Sequence, residues 1–226
     1  MAFSFLDILF PKKCVSCGNL GSYICKNCFS KVEFVDMQIC PVCRTLSESG
    51  KTHKECFEDL RLDGLFVACK YRGPLKKAIV KIKYKFIYDI EKILADLIVR
   101  RFEELDLPKN TLFVPVPLHD LRKRWRGFNQ SEILAQILAK SFNFECADIL
   151  VRNRETKPQV GMDIKQRKEN MEAAFSLKKG SPSIYKNRNI LLVDDVFTSG
   201  VTIGERCKLL KQNGAEKVVA LVVALG

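Results

Sequence analysis

The chain has 226 residues, 47% of them hydrophobic, which suits one ordinary domain plus a smaller one and is too apolar for a disordered protein. Its 38 Lys and Arg against 26 Asp and Glu give a formal charge of +12, so the partners it selects should be anionic: phosphates, nucleic acid or an acidic protein. No stretch approaches the ~18 consecutive apolar residues of a bilayer span, and no transmembrane segment is expected.

The first ten residues include Phe3, Phe5, Leu6, Ile8, Leu9 and Phe10 but are broken by Asp7, with no basic start and no small-residue cleavage site. They read as a short helix packed on the body of a cytoplasmic protein, not as an export signal. Seven of the ten cysteines fall within the first 56 residues, which in that setting indicates metal and not disulfides.

The ligand pattern is Cys14-x2-Cys17, Cys25-x2-Cys28, Cys40-x2-Cys43 and His53-x2-Cys56. Ligands two residues apart let a tight turn aim both at one tetrahedral zinc ion, and Gly18 directly after Cys17 suits such a turn. Eight ligands fit two ions paired sequentially or as a cross-brace, and a single ion is also compatible. The short gap between Cys17 and Cys25 favours the sequential scheme. With every position filled by protein the zinc is structural, contributing on the order of 10 kcal/mol of folding energy per site. Binding two Zn2+ through seven thiolates lowers the net charge by three, to +9, still basic. Cys69, Cys146 and Cys207 sit in apolar or helical surroundings and read as small buried hydrophobes. The metal module is expected over residues 1–62 and a second domain over 63–226.

Past the module, Gly64 to Tyr71 predicts a strand and Gly73-Pro74 the start of a helix whose apolar face is Leu75, Ala78, Ile79, Ile82 and Phe86. From Lys70 to Tyr88 there are seven basic residues and no acid, an anion-facing surface or a solvated face. Ile90, Ile93, Leu94, Leu97 and Ile98 mark a further helix, and Leu112 to Pro117 a short buried strand. Leu118 to Gln130 reads as a basic loop, followed by a helix with Ile133, Leu134, Ile137 and Leu138. Val151 to Lys179 is polar and lacks periodicity, a long loop or hairpin. Asn189 to Val193 is a strand, Ile203, Cys207 and Leu210 mark a helix stopped at Asn213-Gly214, and Val218 to Leu225 is a strand buried on both faces. This alternation predicts an α/β fold: a parallel sheet with helices on both faces, and ligands at the carboxyl ends of its strands.

That end is where Asp194 and Asp195 fall, followed by Val196, Phe197, Thr198, Ser199, Gly200, Val201 and Thr202. Backbone N–H groups at a strand-to-helix turn, with the hydroxyls of Thr198, Ser199 and Thr202, make an anion cradle. The two acids suit the 2′- and 3′-hydroxyls of a ribose, directly or through Mg2+. A nucleotide triphosphatase strand would need G-x4-G-K-[ST], yet Thr45 stands where the first glycine of the one Gly-Lys-Thr belongs. A phosphoacceptor domain has no room in the 31 residues after Asp195.

The segment resembles the motif by which type I phosphoribosyltransferases bind 5-phosphoribosyl 1-diphosphate (PRPP). The wider chain resembles the ComF family of competence-associated proteins. That resemblance is carried by the cysteine knuckles, Tyr71-Arg72-Gly73-Pro74-Leu75, Val114-Pro115-Val116-Pro117-Leu118-His119, Arg126-Gly127-Phe128-Asn129-Gln130, and Arg154 to Thr156 with Gln159, Arg167, Asn170 and Phe175. It implies a type I phosphoribosyltransferase-like sheet with a small zinc-ribbon-like module. It also implies a pyrophosphate loop over Leu118–Gln130 with Arg122, Arg124 and Arg126 as contacts, and a hood over Val151–Asn170. His53 stands where the family usually has cysteine, and Ser199 where threonine is common. His119 is a candidate base by position alone. Two functions follow: Mg-dependent phosphoribosyl transfer in support of DNA uptake, or a non-catalytic factor of the transformation machinery. In the second, stretches 70–88 and 122–126, interleaved with Tyr71, Tyr84, Phe86 and Trp125, would hold single-stranded DNA.

Overall fold

The computed structural model describes residues 11–82, 88–103, 106–118, 120–152, 175–180 and 182–226. In chain order these form α1 (Lys26–Phe29), α2 (Phe57–Leu60), β1 (Gly64–Lys70), α3 (Gly73–Ile82), α4 (Tyr88–Arg101), β2 (Thr111–Pro115), α5 (Asp120–Arg126), α6 (Gln130–Phe142) and β3 (Glu145–Cys146). They continue with β4 (Leu150–Arg152), β5 (Phe175–Leu177), α7 (Pro182–Tyr185), β6 (Asn189–Phe197), α8 (Val201–Gln212) and β7 (Val218–Leu225). Of the segments discussed above, Met1–Phe10, Tyr84, Phe86, His119 and residues 153–174 lie outside the described residues.

The main sheet has the order β1-β7-β6-β2-β3, and every pairing in it is parallel. Successive residues of its strands feed two separate cores. Phe113, Leu191, Val193, Leu221 and Val223 join the cluster with α3, α4 and α6. Leu112, Val114, Ile190, Leu192, Val218, Ala220 and Val222 join the cluster with α8 and Tyr185. A strand with water on neither side has no polar face, which is why β7 reads as one apolar run.

Three local readings are corrected and one element is added. The basic segment after Pro117 is not all loop, since α5 occupies seven of its residues. Strand β6 runs on through the acids to Phe197, with Asp194 in register with Val222 and Phe197 with Leu225. Glu145–Cys146 adds a short edge strand, and Cys146 is half-buried instead of buried. Cys69 and Cys207 are fully buried as expected. In the polar stretch, β4 and β5 pair antiparallel, with Arg152 opposite Phe175.

The amino-terminal module resolves the pairing of its ligands. Cys14, Cys17, Cys25 and Cys28 form one group and Cys40, Cys43, His53 and Cys56 the other, each with its ligand atoms within 4.8 Å of one another. The Cys17 and Cys25 sulfurs are 3.6 Å apart, close to the edge of about 3.8 Å that a tetrahedron with Zn–S bonds of ~2.3 Å requires. In the second group His53 turns Nδ1 to within 3.3 Å of the Cys43 sulfur. The thiols are already graded. Burial would raise Cys14, but backbone N–H groups of Cys25, Cys17 and Ser16 bring it down to about 6, while burial pushes Cys28 up to about 12. All-protein tetrahedral sets of this kind are structural zinc centres.

The module lies along β1, the edge of the sheet. Val35 N–H donates to the Ala68 carbonyl at 2.9 Å, and Lys70 N–H donates to the Glu33 carbonyl at 2.9 Å. Gln38 completes the seam: Val67 N–H donates to its Oε1 at 2.8 Å and its Nε2 donates to the Val67 carbonyl at 3.1 Å. Backbone groups that an edge strand would leave to solvent are thereby paired. Cys14→Ser combined with Cys17→Ser is expected to lower bound zinc from two ions per chain to one in native mass spectrometry, and an unchanged stoichiometry would contradict the sequential sets.

Candidate functional site

The carboxyl ends of β1, β2 and β6 open into a cleft of about 330 Å3 lined by Tyr71, Val116, Pro117, Arg126, Gln130, Ser131, Arg152, Asp194, Asp195, Thr198, Thr202 and Arg206, among others. Its floor is the acid pair. Ser131 Oγ donates to Asp194 Oδ1 at 2.8 Å, Asp195 N–H donates to the same oxygen at 2.9 Å, and Gln130 Nε2 reaches Asp195 Oδ2 at 3.4 Å. Ser131 and Gln130 are delivered by the first turn of α6. Its N-cap Asn129 accepts from Ser131 N–H at 3.3 Å and donates to the Val116 carbonyl at 3.1 Å, tying the helix start to the end of β2. Arg126 Nη1 donates to Gln130 Oε1 at 3.2 Å, so a cation is linked through one amide to Asp195.

The turn after β6 has the form of an anion cradle. Gly200 is the N-cap of α8 with φ 75°, and Thr198 and Ser199 are exposed beside it. Space as well as backbone angle demands glycine there, because a Cβ would lie 2.7 Å from Phe197 Cζ and 2.9 Å from Leu60 Cδ1. Thr198 and Thr202 face the cleft, whereas Ser199, Gly200 and Val201 form the rest of the turn. Of the three arginines nominated from sequence, Arg126 lines the cleft and Arg124 is exposed; the side chain of Arg122 lies outside the described residues.

Three charged groups were not legible in the motif. Arg206 on α8 is 0% exposed, donates through Nη1 to the Thr202 carbonyl and through Nη2 to the Pro117 carbonyl (3.4 Å), and leaves Nε without a hydrogen-bond partner. Burial pulls its pKa down to about 9, opposed by the nearby Asp194 charge. Its guanidinium lies 3.8 Å from the centre of the Phe175 ring, and that of Arg152 lies 5.5 Å from the same ring. Glu91 on α4 is 1% exposed, and burial with the charge of Asp195 lifts it to about 8. Asp194 is lifted to about 6, by burial first and then by Asp195, with the Ser131 hydroxyl pulling the other way. Raised carboxyls at Asp194 and Glu91 mark a site short of positive charge, and the oxygens of the Asp194–Asp195 pair are hard donors of the kind that suit a divalent cation such as Mg2+.

The fold and cleft are those of a phosphoribosyl transferase-type α/β domain behind a zinc-binding module. Residues 5–57 match the double zinc ribbon domain and residues 87–226 the phosphoribosyl transferase domain. Competence protein F of Haemophilus influenzae is 30% identical over 222 residues, spanning 92% of this chain and 95% of that protein. DNA utilization protein YhgH of Escherichia coli is 31% identical over 206 residues, spanning 86% of this chain and 87% of that protein. Competence protein ComFC of Streptococcus pneumoniae is 30% identical over 209 residues, spanning 88% and 86%. The chain belongs to the phosphoribosyl transferase domain family and, within it, to the ComF group with an amino-terminal double zinc ribbon. No helix among the described residues is long and apolar enough to cross a membrane.

Glu91 gives the site a pH signature. Its carboxyl is neutral in the folded chain up to about pH 8 but ionises near 4.5 when unfolded, so its contribution to stability falls by roughly 1.4 kcal/mol per pH unit between those values as pH rises. Glu91→Gln is therefore expected to raise the unfolding midpoint at pH 7.5 and to lose most of that advantage near pH 5. Equal midpoint shifts at both pH values would show that the buried carboxyl is not titrating in this way.

Proposed function

We propose that this chain binds PRPP together with Mg2+ in the cleft and transfers its phosphoribosyl group to an acceptor, in a cytoplasmic role that supports DNA uptake. The observation that carries the reading is that the acid pair and the glycine-capped turn meet in one cleft at the carboxyl ends of parallel strands. In this reading the 5-phosphate sits on the N–H groups and hydroxyls of Thr198, Ser199, Gly200, Val201 and Thr202. Asp194 and Asp195, with Val196 between them and the turn, take the ribose hydroxyls. Mg2+, held by the acid pair, would supply charge neutralisation for the diphosphate.

The chemistry is displacement at C1. The acceptor's lone pair forms the new bond to C1, the C1–O bond breaks, and pyrophosphate leaves with that electron pair. Positive charge developing at the ribose faces the carboxylates, and negative charge developing on the leaving group faces Arg126, Arg152 and Arg206; Arg122 and Arg124 would add to that field from α5. The names of the relatives, competence protein and DNA utilization protein, support the assignment to DNA handling.

A second reading is favoured by one surface. Trp125 is 67% exposed, directly after the exposed Lys123 and Arg124 and one residue before the cleft-lining Arg126. An aromatic face among cations suits stacking and backbone attraction of single-stranded DNA, in a factor that keeps the fold without turnover. Calorimetric titration of PRPP with and without Mg2+ is expected to give Mg-assisted binding to the wild type that is lost in Asp194→Asn with Asp195→Asn. No binding to folded, zinc-loaded wild type would overturn the transferase reading. The DNA reading would then require single-strand affinity that falls with salt by roughly 0.7 log units per log unit for each phosphate neutralised.

A further inference from the structure

The two zinc sets touch different parts of the phosphoribosyl domain. Around the first, Cys14, Cys28, Ile24 and Val32 join the core on the side of α3 and α4, and the Ser16 carbonyl accepts from Lys77 Nζ on α3 at 3.2 Å. Around the second, the contacts run to the turn that cradles the anion. Arg44, the residue after ligand Cys43, donates through Nη2 to the Thr198 carbonyl, and its guanidinium lies 4.9 Å from the centre of the Phe197 ring. Leu60, four residues after ligand Cys56, fills the space over Gly200 and Gly204; a Cβ on Gly204 would lie 2.8 Å from Leu60 Cδ2. The carbonyl of Arg61 accepts from Cys207 Sγ on α8 at 2.7 Å.

Arg44 holds its place at a conformational cost. Its φ of 64° is one that side-chain-bearing residues rarely adopt, and it is imposed by the knuckle itself, whose turn closes with Arg44 N–H donating to the Cys40 carbonyl at 3.1 Å. The same metal-binding turn that strains Arg44 aims it at Thr198. Phe197, Thr198 and Gly200 are thus held from outside the domain by residues that follow the second ligand set in sequence, Arg44 directly after Cys43 and Leu60 four residues after Cys56.

We infer that the Cys40, Cys43, His53 and Cys56 set is the support on which the phosphate turn is held, with Arg44 as its positioning residue. Metal occupancy there is then linked to phosphoester affinity at Thr198–Thr202, and the Cys14, Cys17, Cys25 and Cys28 set has no such link. The inference rests on the reading of that turn as the seat of the ribose 5-phosphate. Linkage is reciprocal: whatever factor the second zinc adds to phosphoester affinity, the phosphoester adds to zinc affinity at that set alone.

The test uses the full zinc-loaded chain, with hydrogen–deuterium exchange of peptides covering 197–204 as the first readout. Arg44→Gln and Leu60→Ala are each expected to speed exchange there while both zinc ions remain bound. They should weaken Mg-PRPP by a factor of roughly 5 to 50, and Arg44→Lys should recover part of that loss. Cys14→Ser with Cys17→Ser, and separately Lys77→Ala, should leave exchange at 197–204 as in the wild type. Mg-PRPP should slow chelator-driven release of one zinc ion of the two. Unchanged exchange in both Arg44→Gln and Leu60→Ala, or equal loosening when the first set loses its metal, overturns the inference. If the wild type binds neither PRPP nor ribose 5-phosphate, the phosphate reading falls and takes the affinity link with it, while the exchange data still decide whether the second set grips the turn.

Discussion

Two carboxylates on consecutive residues, at the end of a strand that is otherwise apolar, set the terms for everything around them. Carried out of water without support, such a pair would take up protons or pull its strand apart. Here much of the support comes from the start of α6. Asn129 fixes that helix to β2, Ser131 and Gln130 then reach the two acids, and Arg126 stands behind Gln130. The chain has used a helix cap to turn a repulsive pair into a placed one. A residual deficit of positive charge remains, visible in the raised Asp194 and Glu91 carboxyls.

Arg206 answers the same problem from the opposite side. A fully buried guanidinium is costly unless its N–H groups are met, and two of its nitrogens are met by the carbonyls of Thr202, in the first turn of α8, and Pro117, just past the end of β2. It therefore ties the first turn of α8 to the segment after β2 while leaving its charge beside the cavity. Phe175, within cation–π reach of both Arg206 and Arg152, brings the β4–β5 pair into the same construction.

What could be read in the sequence follows from what is local. Ligands two residues apart, apolar runs of strand length and an acid pair before a Thr-Ser-Gly turn are all signals carried within a dozen residues, and they located the metal groups, β1, β2, β6, β7 and the cleft floor. The charged residues that complete the site are not local. Arg206 looks like one more polar position on an amphipathic helix, and Glu91 like a solvent-facing acid, until the sheet brings α8 and α4 beside β6. Helix α5 was concealed because seven mostly basic residues show no apolar period, and the extension of β6 because adjacent acids are unusual inside a strand. The pairing of zinc ligands needed coordinates for a simpler reason: spacing says which residues share a knuckle, not which knuckles share an ion.

The seam between Gln38 and Val67 has one more consequence. Strand β1 is seven residues long, mostly apolar, and exposes its outer backbone groups only to the module that covers them. Stripping the metal would unwrap an adhesive edge able to recruit the same strand from another molecule. Zinc in the module would then guard against aggregation as well as set the fold.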